Sequence, residues 1–195
     1  PPSVTKTDNG LFSFVTPTEF VELPSTGRYY TEDHPLHGVD TLEIRHMTAK
    51  EEDILTSETL IRKGLAIDRL LQAVIVDPDI DVGSLLIGDK NALLVATRIT
   101  GFGPAYETGV SCPGCSEEVT QEFLLDELAH VTPGEMPTGV TINDANNFVF
   151  QLPTTQITAE VKLLTAADER ALTEATEKKK KLNLPAARST DLLKA

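Results

Sequence analysis

Two stretches of this chain repeat one pattern. Glu43-Ile44-Arg45-His46-Met47-Thr48-Ala49-Lys50-Glu51-Glu52 stands beside Glu160-Val161-Lys162-Leu163-Leu164-Thr165-Ala166-Ala167-Asp168-Glu169 at a constant shift. The match continues through Leu55-Thr56 and Leu172-Thr173. Upstream, Leu23-Pro24-Ser25-Thr26 resembles Leu152-Pro153-Thr154-Thr155. Downstream, Asp68-Arg69-Leu70-Leu71-Gln72-Ala73 resembles Asp191-Leu192-Leu193-Lys194-Ala195. The repeated unit reads as a strand that enters a capped, acid-started helix and then a second amphipathic helix. A duplicated unit is therefore expected. Its second copy breaks off at Ala195, so the natural protein is expected to continue beyond it.

Within the first unit, Thr41 to Met47 alternates apolar and polar residues, as a strand does. Thr48, with Glu51 three residues later, is a capping box that starts a helix over 48–63, ended by Gly64. Ile67, Leu70, Leu71, Val74 and Ile75 form one apolar stripe at helical spacing, which predicts a helix over 67–76 stopped by Asp77-Pro78. A third helix is predicted over 89–100, with Asp89 as its cap and Gly101 and Gly103-Pro104 beyond its end. Its Ala92-Leu93-Leu94-Val95-Ala96 run implies burial on most sides.

From Ala105 the period changes to two. Tyr106, Thr108 and Val110, then Val119, Gln121 and Phe123, predict a hairpin whose tip is Cys112-Pro113-Gly114-Cys115. Phe148-Val149-Phe150 returns to strand after a turn-rich stretch. The fold class expected is α+β: two similar strand-plus-helices units with a cysteine-tipped β-hairpin between them. The divisions read as an N-terminal arm at 1–19, a first unit at 20–104, the hairpin at 105–130 and a second unit at 131–195. The arm carries Phe12, Phe14 and Val15. These residues are expected either to dock on a neighbour or to pack on their own domain.

The 195 residues carry 30 Asp and Glu against 17 Lys and Arg, a net charge of −13. Such a surface repels phosphate backbones and anionic lipids, which argues against nucleic-acid and membrane partners. At 40% hydrophobic the chain can bury a core. No apolar run reaches the roughly 18 residues a membrane helix needs, and no signal peptide is visible. The chain begins Pro1-Pro2-Ser3 without methionine, so a natural start upstream is expected. Lys178 to Lys181 reads as a solvated helix end whose cations suit the negative pole of the helix.

The sharpest chemical signal is the pair Cys112 and Cys115. Two thiolates at this spacing can grip one Zn²⁺, but a structural zinc site wants four ligands. His34 and His37, His130, or the same pair from a second subunit could complete it. Unligated thiols, or a disulfide or redox pair, are the other readings. There is no Gly-x-Ser-x-Gly, no phosphate loop, no Gly-x-Gly-x-x-Gly and no His-Glu-x-x-His, so no catalytic constellation is expected. The acidic pairs Glu51/Glu52 and Asp168/Glu169 are read as first-turn helix residues, not as an acid and a base.

A set of segments then points to a family. Phe20-Val21-Glu22-Leu23-Pro24-Ser25, Gly27-Arg28-Tyr29-Tyr30 and His34-Pro35-Leu36 resemble the N-terminal signature of the T-even-type phage baseplate proteins. Met47 to Leu55, Asp68-Arg69-Leu70-Leu71, Gly88-Asp89-Lys90-Asn91 and Arg98-Ile99-Thr100-Gly101 continue it. The cysteine hairpin and the lysine-rich segment also fit, so the resemblance runs from about residue 20 to the end. It implies a non-enzymatic role in the baseplate hub of a contractile tail, as a built-in part or an assembly chaperone. Implied partners are other hub and wedge proteins and the tape measure protein, in an oligomeric particle assembled in the host cytoplasm. Ser116 stands where related hairpins often have glycine. A zinc-ribbon adaptor unrelated to phage is the rival reading.

Overall fold

The computed structural model describes residues 4–6, 15–128 and 136–183, and it is mixed α+β. Strands β1 (Val4–Lys6), β2 (Val15–Glu22) and β3 (Thr41–Arg45) form an antiparallel sheet in that order. In β3 the expected alternation is present: Leu42 and Ile44 face inward while Thr41, Glu43 and Arg45 sit nearer solvent.

The expected helix over 48–63 is two helices, α1 (Ala49–Thr56) and α2 (Glu58–Arg62), with Ser57 extended between them. The Thr56 hydroxyl donates back to the carbonyls of Glu52 and Asp53. Such side-chain bonds compete with helix continuation and favour an end there. Gly64, at a φ of 66°, closes α2 as expected.

Helix α3 (Ala66–Val74) carries the predicted stripe. Leu70, Leu71, Val74 and Ile75 are buried, and Ile67 is partly so. Burying side chains of this size stabilises the fold by about 1.5–3 kcal/mol each. After α3 the chain turns extended, and Ile75 bridges to Ile44 of β3. A 3-10 turn at Val82–Ser84 leads into α4 (Ile87–Phe102). This helix starts earlier than expected and runs through Gly101 before Gly103 ends it.

Beyond α4 lie β4 (Ala105–Ser111) and β5 (Glu118–Leu124), paired antiparallel, then the short α5 (Leu125–Leu128). Strands β6 (Thr141–Ile142), β7 (Phe148–Gln151) and β8 (Thr158–Val161) form a third small sheet, followed by α6 (Ala166–Lys181). Lys178 to Lys181 fill the last turn of α6, where the helix dipole favours cations.

The repeated motif has the same local chemistry in both places. Thr48 with Glu51 and Thr165 with Asp168 each form a capping box. Their surroundings differ. Among the described residues the buried apolar side chains lie between Leu23 and Leu93, with Ala166 the single addition from the second copy. That copy is stitched onto the first instead: Ile87 N–H donates to Leu164 O (3.0 Å) and Ala166 N–H to Leu85 O (2.8 Å). Lys90 adds ion pairs to Asp68 (3.0 Å) and Glu169 (3.1 Å), and Arg170 one to Asp68 (3.0 Å), joining α3, α4 and α6. The second helix expected over 191–195 lies outside the described residues.

Glu51 is fully buried and pairs with Arg45 at 2.8 Å. Burial alone would raise its pKa. Hydrogen bonds from Arg45, from the Thr48 hydroxyl and from the Thr48 N–H outweigh burial and hold it below the ordinary 4.5. Asp168 behaves alike: burial pushes its pKa up, but the Thr165 N–H, Lys162 and the Thr165 hydroxyl hold it below 3.8. A carboxyl depressed in the folded state contributes stability above its unfolded pKa and loses it as pH falls through the folded value. Urea stability is therefore expected to decline from pH 4.5 downward, and Glu51→Gln to flatten that decline. An unchanged slope in the variant would contradict this linkage.

Candidate functional site

Residues 23–40 form a long loop between β2 and β3, closed at its base by the Leu23 N–H donating to Asp40 O at 2.8 Å. Asp89 anchors the loop. It was expected to cap α4 from outside, yet Leu86 occupies the N-cap position and Asp89 lies within the first turn, fully buried. Its carboxylate accepts from the Ser25 N–H (2.9 Å), the Ser25 hydroxyl (2.6 Å) and the Tyr30 hydroxyl (2.7 Å). The Tyr30 oxygen in turn accepts from the Leu86 N–H at 3.1 Å. Burial, then the hydrogen bond to Asp89, raises the Tyr30 pKa, so its proton stays in place.

His34 and His37 belong to the same loop. The Leu36 N–H donates to His34 Nδ1 (3.1 Å), which leaves Nε2–H to donate to Ser84 Oγ (2.8 Å). The His34 ring stacks on Tyr30 with centroids 4.4 Å apart. Burial lowers its pKa and keeps it neutral, against a smaller pull from Asp33. His37 Nδ1 lies 2.8 Å from the Tyr30 carbonyl. Both rings are thus occupied in holding the loop.

Cys112 and Cys115 lie in the segment 112–117 that joins β4 to β5. Ser116 N–H donates to Cys112 O (2.8 Å) and Cys112 N–H to Glu117 O (2.9 Å). Ser116 takes a φ of 60°, the left-handed conformation that glycine supplies more cheaply. The N–H groups of Cys115 and Gly114, and the Cys115 thiol, hydrogen-bond the Cys112 sulfur and lower its pKa. Both cysteines are free. Among the described residues no group of three or more His, Cys, Asp or Glu could hold a metal ion. His34 and His37 are therefore not gathered with the cysteines, and His130 lies outside the described residues. So do Phe12 and Phe14; Val15 opens β2, paired with Lys6.

Two apolar surfaces stand open. The first is a groove of about 650 Å³ between β2 and α4. Phe20, 60% exposed, forms one wall; Ala92, Val95, Ala96 and Ile99 form the other, with carboxylates of Glu19, Glu22 and Asp126 at the rim. Burial raises the Glu19 pKa, partly offset by His46. The apolar run of α4 implies burial on most sides. The structure instead buries Asp89, Leu93 and Thr97 on one face and leaves the other half-open. The signal was present: 92, 95, 96 and 99 are a second stripe at helical spacing.

The second surface is the β4–β5 ribbon. The register pairs Tyr106 with Phe123, Thr108 with Gln121 and Val110 with Val119, so these six side chains share one face. Glu107, Glu118 and Glu122 point the other way. Every residue of β5 is exposed, and every residue of β4 except Thr108. The ribbon is held at its base, where Arg98 lies over the rings of Phe102 (5.0 Å) and Tyr106 (5.9 Å) and bonds the Gly103 carbonyl.

Among the described residues no helix is long and apolar enough to cross a membrane. The sequence model of one family, described as T4 bacteriophage base plate protein, matches residues 16–182. No curated protein and no solved structure matches the chain.

Proposed function

The chain belongs to this family of T4 bacteriophage base plate proteins, and we propose that it is a structural or assembly component of the baseplate hub of a contractile tail. It works by protein–protein contacts and not by catalysis. The observation that carries this reading is the open groove beside Phe20. A phenylalanine side chain left in water beside a half-open helix stripe has a large unrealised burial energy. The carboxylate rim and the net charge of −13 select the occupant: an apolar side chain flanked by lysine or arginine on a neighbouring hub protein. Hub, wedge and tape measure proteins are the partner classes.

The buried carboxylates support a non-catalytic role. The Asp89 and Glu51 carboxylates each accept three hydrogen bonds within the fold. The test is quantitative mass spectrometry of purified particles against infected-cell lysate. A fixed small copy number in the particle is expected. Abundance in the lysate with absence from the particle would instead make the protein an assembly chaperone. In the same assay Phe20→Asp is expected to lower incorporation at least about tenfold while leaving the melting temperature of the purified chain unchanged. Normal incorporation of that variant would remove the groove from the reading.

A further inference from the structure

We propose that the tip of the β4–β5 ribbon is half of a zinc site, and that the same tip of a second copy supplies the other half. Cys112 and Cys115 of both copies then enclose one Zn²⁺. The site stands independently of the baseplate role.

The chemistry of the tip sets the ligand class. Two adjacent sulfurs on a tight turn suit a soft, tetrahedral divalent ion. The turn wraps closely round the Cys112 sulfur, since a Cβ added at Gly114 would lie 3.9 Å from it, and nearby backbone N–H groups can offset the charge of a metal-bound thiolate. Cys115 follows on the same turn, which the Ser116 N–H closes onto Cys112 O at 2.8 Å, so both thiols are presented at the tip. Cys115 is exposed and Cys112 half-buried, which leaves the pair open to an ion from outside.

The ligand count sets the partner. Structural zinc takes four ligands, and the tip gives two. Among the described residues no third His, Cys, Asp or Glu joins them. A twofold axis through the metal doubles two thiolates to four. On binding, the four thiols release their protons to solvent and the sulfurs coordinate the ion.

The rest of the ribbon fits the same axis. The face that Tyr106, Val110, Val119 and Phe123 share with the uncharged Thr108 and Gln121 is largely apolar and exposed. Its own strands add no charged side chain there, because the register places Glu107, Glu118 and Glu122 on the opposite face, while the Arg98 guanidinium covers the Tyr106 ring at its base. Two copies at −13 each repel over most of their surfaces, but not here. A two-stranded ribbon is marginal in water without a layer against it, and its twin supplies that layer.

The experiment uses the full chain, purified with a reductant and loaded with Zn²⁺. Bound zinc is measured by chelator release and mass by light scattering. The expected result is one zinc per two chains in a dimer that a chelator returns to monomer. Cys112→Ser and Cys115→Ser each lose zinc and dimer with an unchanged circular dichroism spectrum, since the ribbon stands off the core. Tyr106→Ser with Phe123→Ser weakens the zinc-loaded dimer at least about tenfold. One zinc per monomer, no retained zinc, or a dimer that survives both chelation and Cys112→Ser would overturn the proposal. Particle incorporation is read separately, so failure here leaves the baseplate reading standing.

Discussion

Gly27→Ala is expected to destabilise the protein by about 4 kcal/mol or more. Gly27 is buried in the 23–40 loop at a φ of 70°. An added Cβ would sit 2.6 Å from the Leu36 carbonyl oxygen, and closer still to the Val39 backbone nitrogen. Backbone atoms cannot rotate away as a side chain can. The Gly38 N–H also donates to the Gly27 carbonyl at 3.0 Å, so the clash would open the loop at its narrowest point. Gly38 is the matched control. It has the same φ of 70°, but its Cβ would meet nothing within 4 Å. Gly38→Ala should therefore cost only the left-handed backbone penalty, about 1–2 kcal/mol. Urea unfolding of both variants measures the difference. Equal midpoints would show that backbone conformation alone, and not close approach, sets the requirement for glycine.

Asp89→Ala is expected to cost about 3–5 kcal/mol. It removes an acceptor of three buried hydrogen bonds and leaves the Ser25 N–H, the Ser25 hydroxyl and the Tyr30 hydroxyl without it. Asp89→Asn should be nearly as damaging. The Tyr30 oxygen already accepts from the Leu86 N–H, so its own proton must point at residue 89. The Ser25 hydroxyl bonds the same Oδ2. An amide nitrogen at that position would face donors and could accept from neither. Chemical denaturation with tyrosine absorption as the probe separates the cases. Near-parental stability of Asp89→Asn would show that the network can reverse its polarity, and that these hydrogen-bond directions are not required.

These two residues also show where sequence reading stops. The caps at Thr48 and Thr165, the α3 stripe and the alternation in β3 were legible because each depends on residues within one or two turns of chain. Family membership was legible for a related reason: many short segments matched in order. The break of helix 48–63 at Ser57 was local too. Its signal, a threonine followed by a serine, was outweighed by the longer helical pattern.

The role of Asp89 was not legible. Its partners Ser25 and Tyr30 lie 64 and 59 positions away, and an aspartate at a helix start reads equally well as a cap. The open face of α4 was missed because a run of apolar residues does not say which of its faces another segment will cover. The segment around Thr165 has the same cap as that around Thr48, but among the described residues only its Ala166 is a buried apolar side chain, and the Leu85–Ile87 segment hydrogen-bonds it. Sequence by itself determined where α1 and α6 begin, which stripe of α3 is apolar and which residues alternate in the ribbon. All of these follow from bonds and spacings a few residues long. Tertiary structure alone decided which carboxylates are buried and which apolar faces stay open, since burial depends on the segments that meet, not on the residues that carry them.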